Sequence, residues 1–211
     1  MAPDLEQSVG IVGEAWKDSP YYADAERWTF IFWDHDHGFR DYFDLLDLGH
    51  VVELACGHGR HSERIAPLAS HVTLMDIHDG NLQACRERLG GYANVSIRKN
   101  NGYDYRPLES GTATSVVCYD AMVHFSPDLV ASYLEDTARV LAPGGMALFH
   151  HSNYDVETGR HYGQNPHARN RMSMDIFRDY AAKAGLDVVK SRTMDWSGVA
   201  NLDGLTLVGR P

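Results

Sequence analysis

The chain has 211 residues, 44% of them hydrophobic, and a formal net charge of -10 from 19 Lys and Arg against 29 Asp and Glu. That length fits one generous domain with a core of its own, and the acidic balance excludes a general nucleic-acid binder, which neutralises phosphates with a surplus of cations. No stretch approaches the roughly 18 apolar residues of a membrane span, and three cysteines without close spacing, Cys56, Cys85 and Cys118, read as reduced thiols rather than a disulfide framework.

The opening MAPDLEQSVGIVGE is acidic and lacks the basic-then-apolar order of a signal peptide, so a cytoplasmic protein is expected. Residues 1–47 read as an N-terminal helical lid, crowded with Tyr21, Tyr22, Trp28, Phe30, Phe32, Trp33, Phe39, Tyr42 and Phe43. Asp18-Ser19-Pro20 has the form of a helix start, and a second helix is expected over Gly38 to Leu46. Either these aromatics cover an open site, with Tyr21 or Tyr22 reaching a substrate, or they pack as core. Within Trp33-Asp34-His35-Asp36-His37, neighbours on a helix face different directions and do not converge on one ion, so no metal site is expected there.

From Val51 short apolar runs alternate with helical stretches, and residues 48–211 read as the main domain. Strands are predicted at 51–54, 72–75, 95–98, 115–119 and 146–149. Helices are predicted at 61–69, 79–89 and 129–141, and Pro143-Gly144-Gly145 breaks the chain before the fifth strand. Residues 152–172 read as a long loop, 175–184 as a helix ended by Gly185, and 187–193 and 205–208 as two further strands. This alternation predicts an α/β fold of the Rossmann-like, doubly wound kind, with a mostly parallel seven-stranded sheet.

The most informative segment is Glu53-Leu54-Ala55-Cys56-Gly57-His58-Gly59-Arg60, a strand followed by a glycine turn and a helix start. A dinucleotide site asks for a third glycine where Ser62 stands, and a phosphate loop asks for Lys-Ser or Lys-Thr after the glycines. Glu53 before the turn would repel a pyrophosphate and attract an ammonium. Asp76 ends the next strand, about 20 residues on, where a carboxylate can accept hydrogen bonds from a ribose diol. A cationic, phosphate-free nucleoside fits: S-adenosylmethionine (SAM), with S-adenosylhomocysteine (SAH) as product.

On these residues the chain resembles the class I SAM-dependent methyltransferases, over about residues 48–150. Glu53 through Gly59 is similar to that family's first motif, with Ala55 in a frequent glycine position. The resemblance implies a cofactor set of Glu53, Ala55, Gly57, Gly59, Asp76 with Ile77 beside it, Asn101 and Gly102 near the adenine, and Asp120 near the methionine moiety. Tyr119-Asp120-Ala121-Met122-Val123-His124-Phe125 resembles the fourth motif. Methyl transfer to a hydroxyl also needs a base. His124, with a side chain that titrates near neutrality, is the candidate, against the alternative that it is structural. Asp120 would hold His124, touch SAM or act itself. His150 and His151 point to opposite faces by strand alternation, so one of them is placed at the site, His151 as a catalytic candidate and His150 as a substrate contact. Tyr22 and Arg169 complete the substrate set.

Arg160, Arg169, Arg171 and Arg178 with His161 and His167 form a local basic stretch. It reads either as an attractor for an acidic or phosphorylated small-molecule acceptor or as a solvated loop. NGYDY, YDAMVHF and NPHARNRMS are similar to segments of bacterial methyltransferases associated with sugars and glycans. They imply O-methylation of a sugar or other hydroxylated metabolite. N-methylation of a small amine and a non-catalytic SAM-binding module remain open alternatives.

Overall fold

Strands rich in Val, Leu and Met along both faces need cover on both sides, and the sheet they build has seven members. A computed structural model describes residues 5–211, so the first four residues of the acidic opening and of the 1–47 segment lie outside the described residues. The strands are β1 (His50–Leu54), β2 (His71–Asp76), β3 (Val95–Lys99), β4 (Ala113–Cys118), β5 (Leu141–Ser152), β6 (Asp187–Trp196) and β7 (Val199–Gly209). Their spatial order is 3-2-1-4-5-7-6. β1 to β5 pair in parallel, and β7 runs antiparallel to both β5 and β6. This is the Rossmann-like, doubly wound sheet that the sequence predicts. The strand order turns back between β1 and β4, and crevices of such sheets open at that switch point, beyond the carboxyl ends.

Successive residues of β1 face opposite ways and feed two cores. Val51 joins Val72, Leu74, Val117 and Leu148 with Phe32, Phe39 and Phe43 of the N-terminal segment. Val52 joins Met75, Val116 and Phe149 with Val130, Tyr133, Leu134 and Phe177. The last four residues come from α7 (Pro127–Val140) and α8 (Met174–Lys183). Pro127 sits in the first turn of α7, where a missing N–H costs nothing. The Ser173 hydroxyl accepts from the Ile176 N–H to cap α8.

Several predicted boundaries move. The Pro143-Gly144-Gly145 turn lies inside β5, because pairing resumes beyond it with a register jump from Ala113–Leu141 to Ser115–Met146. The helix expected over 61–69 is regular only in α5 (Ser62–Ile65), whereas α6 (Asp79–Leu89) has its predicted limits. The N-terminal segment is a chain of short pieces, α1 (Leu5–Trp16), α2 (Tyr21–Asp24), α3 (Phe30–Trp33) and α4 (Arg40–Phe43), joined by tight turns. The helix expected over Gly38 to Leu46 is reduced to α4. Core packing of Phe32, Phe39 and Phe43, all nearly inaccessible, fixes this segment more than helical periodicity does. No helix among the described residues is long and apolar enough to cross a membrane.

Candidate functional site

The β1–β4 switch point opens into a pocket with about 990 Å³ of empty space including its mouth. The floor comes from strand ends: Glu53, Ala55 and Gly57 at the end of β1, Asp76, Ile77 and His78 at the end of β2, Asn100 and Gly102 after β3, and Asp120, Ala121 and His124 after β4. Val9, Val12, Gly13 and Trp16 of α1 and Tyr21 and Tyr22 of α2 form the opposite wall.

The glycine turn is held from the neighbouring strand. Gly57 has φ +54° and Ala55 φ +53°, a region that glycine enters freely and alanine at a cost of about 1 kcal/mol. The Gly57 N–H donates to Asp76 Oδ2 at 3.0 Å. The His78 N–H and the Asn81 amide donate to Asp76 Oδ1 at 2.9 and 3.1 Å. Three donors thus fix the carboxylate at the tip of β2 and leave a lone pair free on Oδ2, which carries one of the three bonds. Burial outweighs these bonds and raises the Asp76 pKa. Gly59 does not line the pocket; a Cβ there would lie 3.1 Å from Cys85 Sγ, so its role is close packing beneath the turn.

Glu53 is buried and accepts a hydrogen bond from the Ser62 hydroxyl. Burial pushes its pKa up to about 7. A carboxylate in that state gains from any cation brought beside it. Ser62, the residue that breaks the dinucleotide pattern, is its partner. These residues fit SAM: a desolvated acid for the ammonium, a pre-oriented acid for the ribose diol, and no basic cradle for a pyrophosphate.

At the tip of β3 the sequence expectation misses by one residue. Asn101 is exposed, and its side chain accepts from the Tyr103 and Asp104 N–H groups as a turn former. Asn100 is the buried residue that lines the pocket. Its Oδ1 accepts from the Gly102 N–H at 2.7 Å and from the Tyr133 hydroxyl at 2.6 Å.

Asp120 has φ +55°. It accepts from the Tyr21 hydroxyl and lies 3.7 Å from Arg60 Nη2 and 4.0 Å from Arg169 Nη2. Burial and that carboxylate hold the Tyr21 hydroxyl protonated far above its usual range. His124 is buried, with the Trp16 ring 4.4 Å away. Its Nδ1–H donates to the Ala168 carbonyl at 2.9 Å, which leaves the Nε2 lone pair free. Burial, with Arg169 nearby, lowers its pKa to about 4. Tyr22 lines the pocket and stacks on His58 at 4.9 Å, and burial pushes its hydroxyl up to about 12.

Three further expected site residues do not line the pocket either. His151 is fully buried on the far face of the sheet, stacked 3.9 Å from Phe177 and bonded to the Ser152 carbonyl and the Thr206 hydroxyl. It is a core histidine without access to a substrate. His150 is also fully buried. Its Nδ1 accepts from the Asp120 N–H at 3.2 Å, and its Nε2–H donates to Asp203 at 2.8 Å. Arg169 binds Asp203 through two bonds of 2.8 and 2.6 Å. Burial would raise the Asp203 carboxyl, but His150 and Arg169 outweigh it and hold it well below the usual range. His150 and Arg169 therefore brace Asp120 from behind rather than contact a substrate. The other arginines of the basic stretch are also engaged, with Arg171 on Asp155 and Glu157, Arg178 on Asp175, and Arg160 on Asn165. Nothing in Asn201-Leu202-Asp203-Gly204 marks Asp203 in the sequence. Its importance arises only when β7 inserts beside β5.

Residues 51–145 match the family described as a methyltransferase domain. A protein of Mycolicibacterium smegmatis named as a probable S-adenosylmethionine-dependent methyltransferase is 27% identical over 155 residues, which cover 72% of this chain and 58% of that protein. The chain thus spans less than two thirds of that curated relative. Among solved structures, geranyl diphosphate C-methyltransferase from Streptomyces coelicolor A3(2), in complex with Mg2+, geranyl-S-thiolodiphosphate and SAH, superposes with a TM-score of 0.67 at 14% identity, over 82% of this chain and 74% of that one. A Pyrococcus horikoshii OT3 protein superposes with a TM-score of 0.66 at 17% identity, over 87% and 91%. At these identities the likeness is one of fold.

Proposed function

We propose that the chain is a class I SAM-dependent methyltransferase, a reading that the methyltransferase-domain match over residues 51–145 supports, and that it moves a methyl group from SAM to a hydroxyl oxygen of a small molecule held in this pocket. SAM supplies an electrophilic methyl on a sulfonium. Glu53 and Asp120 face the cationic amino-acid part, Asp76 the ribose hydroxyls, and Ile77, Asn100 and Gly102 the adenine. The observation that carries the reading is the pairing of this acid-lined half with His124, a neutral histidine whose Nε2 is free to accept a proton. His124, oriented by the Ala168 carbonyl, presents a free Nε2 that takes the acceptor proton as oxygen attacks in line. The N-terminal segment over the pocket acts as a lid that excludes water.

The test is a titration of SAH into the protein, followed by incubation with SAM and pools of sugars, phosphorylated sugars, hydroxy acids and amines. SAH uptake with a mass gain of one methylene on a hydroxylated compound supports the reading. Gain confined to amines would move the methyl to nitrogen. SAH uptake without any product would leave a cofactor-binding module.

A further inference from the structure

Charge in the pocket is lopsided. Its lining carries Glu26, Glu53, Asp76 and Asp120 and, among the described residues, a single arginine or lysine, Arg60. The acids suit the sulfonium and ammonium of SAM, and the lone cation needs a separate explanation. Arg60 has a mostly buried side chain. One guanidinium nitrogen, Nη1, donates to the Ala25 carbonyl. Its Nη2 lies 3.7 Å from Asp120 Oδ2, beyond hydrogen-bond length. Most of the fork's five donors are therefore unused.

The next residue supplies a second unused donor. His61 lines the same pocket and is buried. Its Nδ1 accepts from the Trp33 indole N–H at 3.1 Å, so the ring hydrogen sits on Nε2. That Nε2 is buried without a partner, an unsatisfied donor until an acceptor reaches it. Burial and the adjacent guanidinium keep the ring neutral, hence a donor at Nε2 alone. Both groups border Tyr119: the Arg60 guanidinium is 5.5 Å from that ring's centroid, and the His61 ring 4.8 Å. Tyr119 follows β4, whereas Asp76 ends β2 and Asn100 follows β3, across β1 in the strand order. The donors thus gather away from the nucleoside acids.

We propose that Arg60 and the Nε2–H of His61 form a carboxylate-binding subsite for the methyl acceptor, which is a small monoanionic hydroxy acid. This rests on the methyltransferase reading of the pocket. A planar carboxylate offers two oxygens to one guanidinium fork and a further lone pair to the imidazole. A phosphate dianion asks for more positive charge than one arginine beside Asp120 provides. The other carboxylate within reach is that of SAM itself, and the experiment separates the two.

Benzoate and benzyl alcohol share a ring that matches the Tyr119 wall and differ in the carboxylate. Each is titrated by calorimetry into the wild-type protein, with and without saturating SAH, and into Arg60→Gln, Arg60→Lys and His61→Phe. We expect benzoate to bind at least about tenfold more tightly than benzyl alcohol. Arg60→Gln should remove that preference, Arg60→Lys restore part of it and His61→Phe weaken it several-fold, with SAH affinity unchanged within about twofold. If Arg60→Gln does not fold, the wild-type ratio and Arg60→Lys still decide. Equal affinity for the two probes overturns the subsite, as does a loss confined to SAH, which would assign Arg60 to the cofactor. Benzoate preference without SAH uptake would keep the carboxylate site and sink the methyltransferase reading. SAH uptake with no preference would do the reverse.

Discussion

At the scale of single residues, His124 makes the sharpest prediction. Replacing it by Ala removes the proposed base and should lower kcat by about 10² while SAH affinity, measured by calorimetry, stays unchanged. Its pKa is held down to about 4, so the ring is already deprotonated across pH 5.5 to 7.5. The kcat profile at saturating SAM should be flat there, without the fall below 6.5 that an ordinary histidine base would give. Glu53, pushed up to about 7 by burial, loses its charge as pH drops through that value, so kcat/KM for SAM should decline below it. A kcat limb near 6.5 would show that another group is the base. Glu53, near the end of β1, and His124, in the turn that follows β4, each stand in a motif that the sequence offers, and both line the pocket. The sequence misplaced Asn100 by one position, since Asn100 and Asn101 are the same residue type and only burial distinguishes them. It misassigned His151, since alternation says that two neighbours face apart but not which face is open.

At the scale of elements, β1 to β4 and α6 were legible because short apolar runs and glycine turns repeat. The N-terminal pieces were not, because aromatic packing rather than a helical period fixes them. Their grip on the sheet depends on close approach at Gly102. That residue has φ +94°, and a Cβ there would lie 2.5 Å from Val9 Cγ1. Gly102→Ala must both strain the backbone and push α1 off the end of β3. The expected cost is about 1–3 kcal/mol of stability, read from urea unfolding. Proteolysis in the α1 segment should become faster and SAH affinity weaker. Unchanged proteolysis together with unchanged SAH binding would mean that α1 does not serve as a lid.

At the scale of the whole molecule, the balance of buried titratable groups sets acid stability. His61, His124 and His151 are buried and held neutral by desolvation, the last two with pKa values lowered to about 4 and about 3. An unfolded histidine binds its proton near pH 6.5, and the native state refuses it, so each group's contribution is present above that value and is lost as pH falls. Between pH 7.5 and 5 the loss is about 2 kcal/mol for each of His124 and His151, and His61 acts in the same sense. Glu53 acts in the opposite sense. With its native pKa raised to about 7, the folded state takes up a proton that the unfolded chain declines until about 4.5, which offsets roughly one histidine, and the raised Asp76 adds to that side. Three losses against two gains leave acid a net destabiliser of the fold. The unfolding midpoint in urea should therefore fall between pH 7.5 and 5, although the surplus of carboxylates alone would predict relief of charge repulsion and a rise. His151→Gln should flatten the slope by about one proton's worth without touching the pocket. Saturating SAH should steepen it, because a cation beside Glu53 pulls that pKa back down and removes the opposing term.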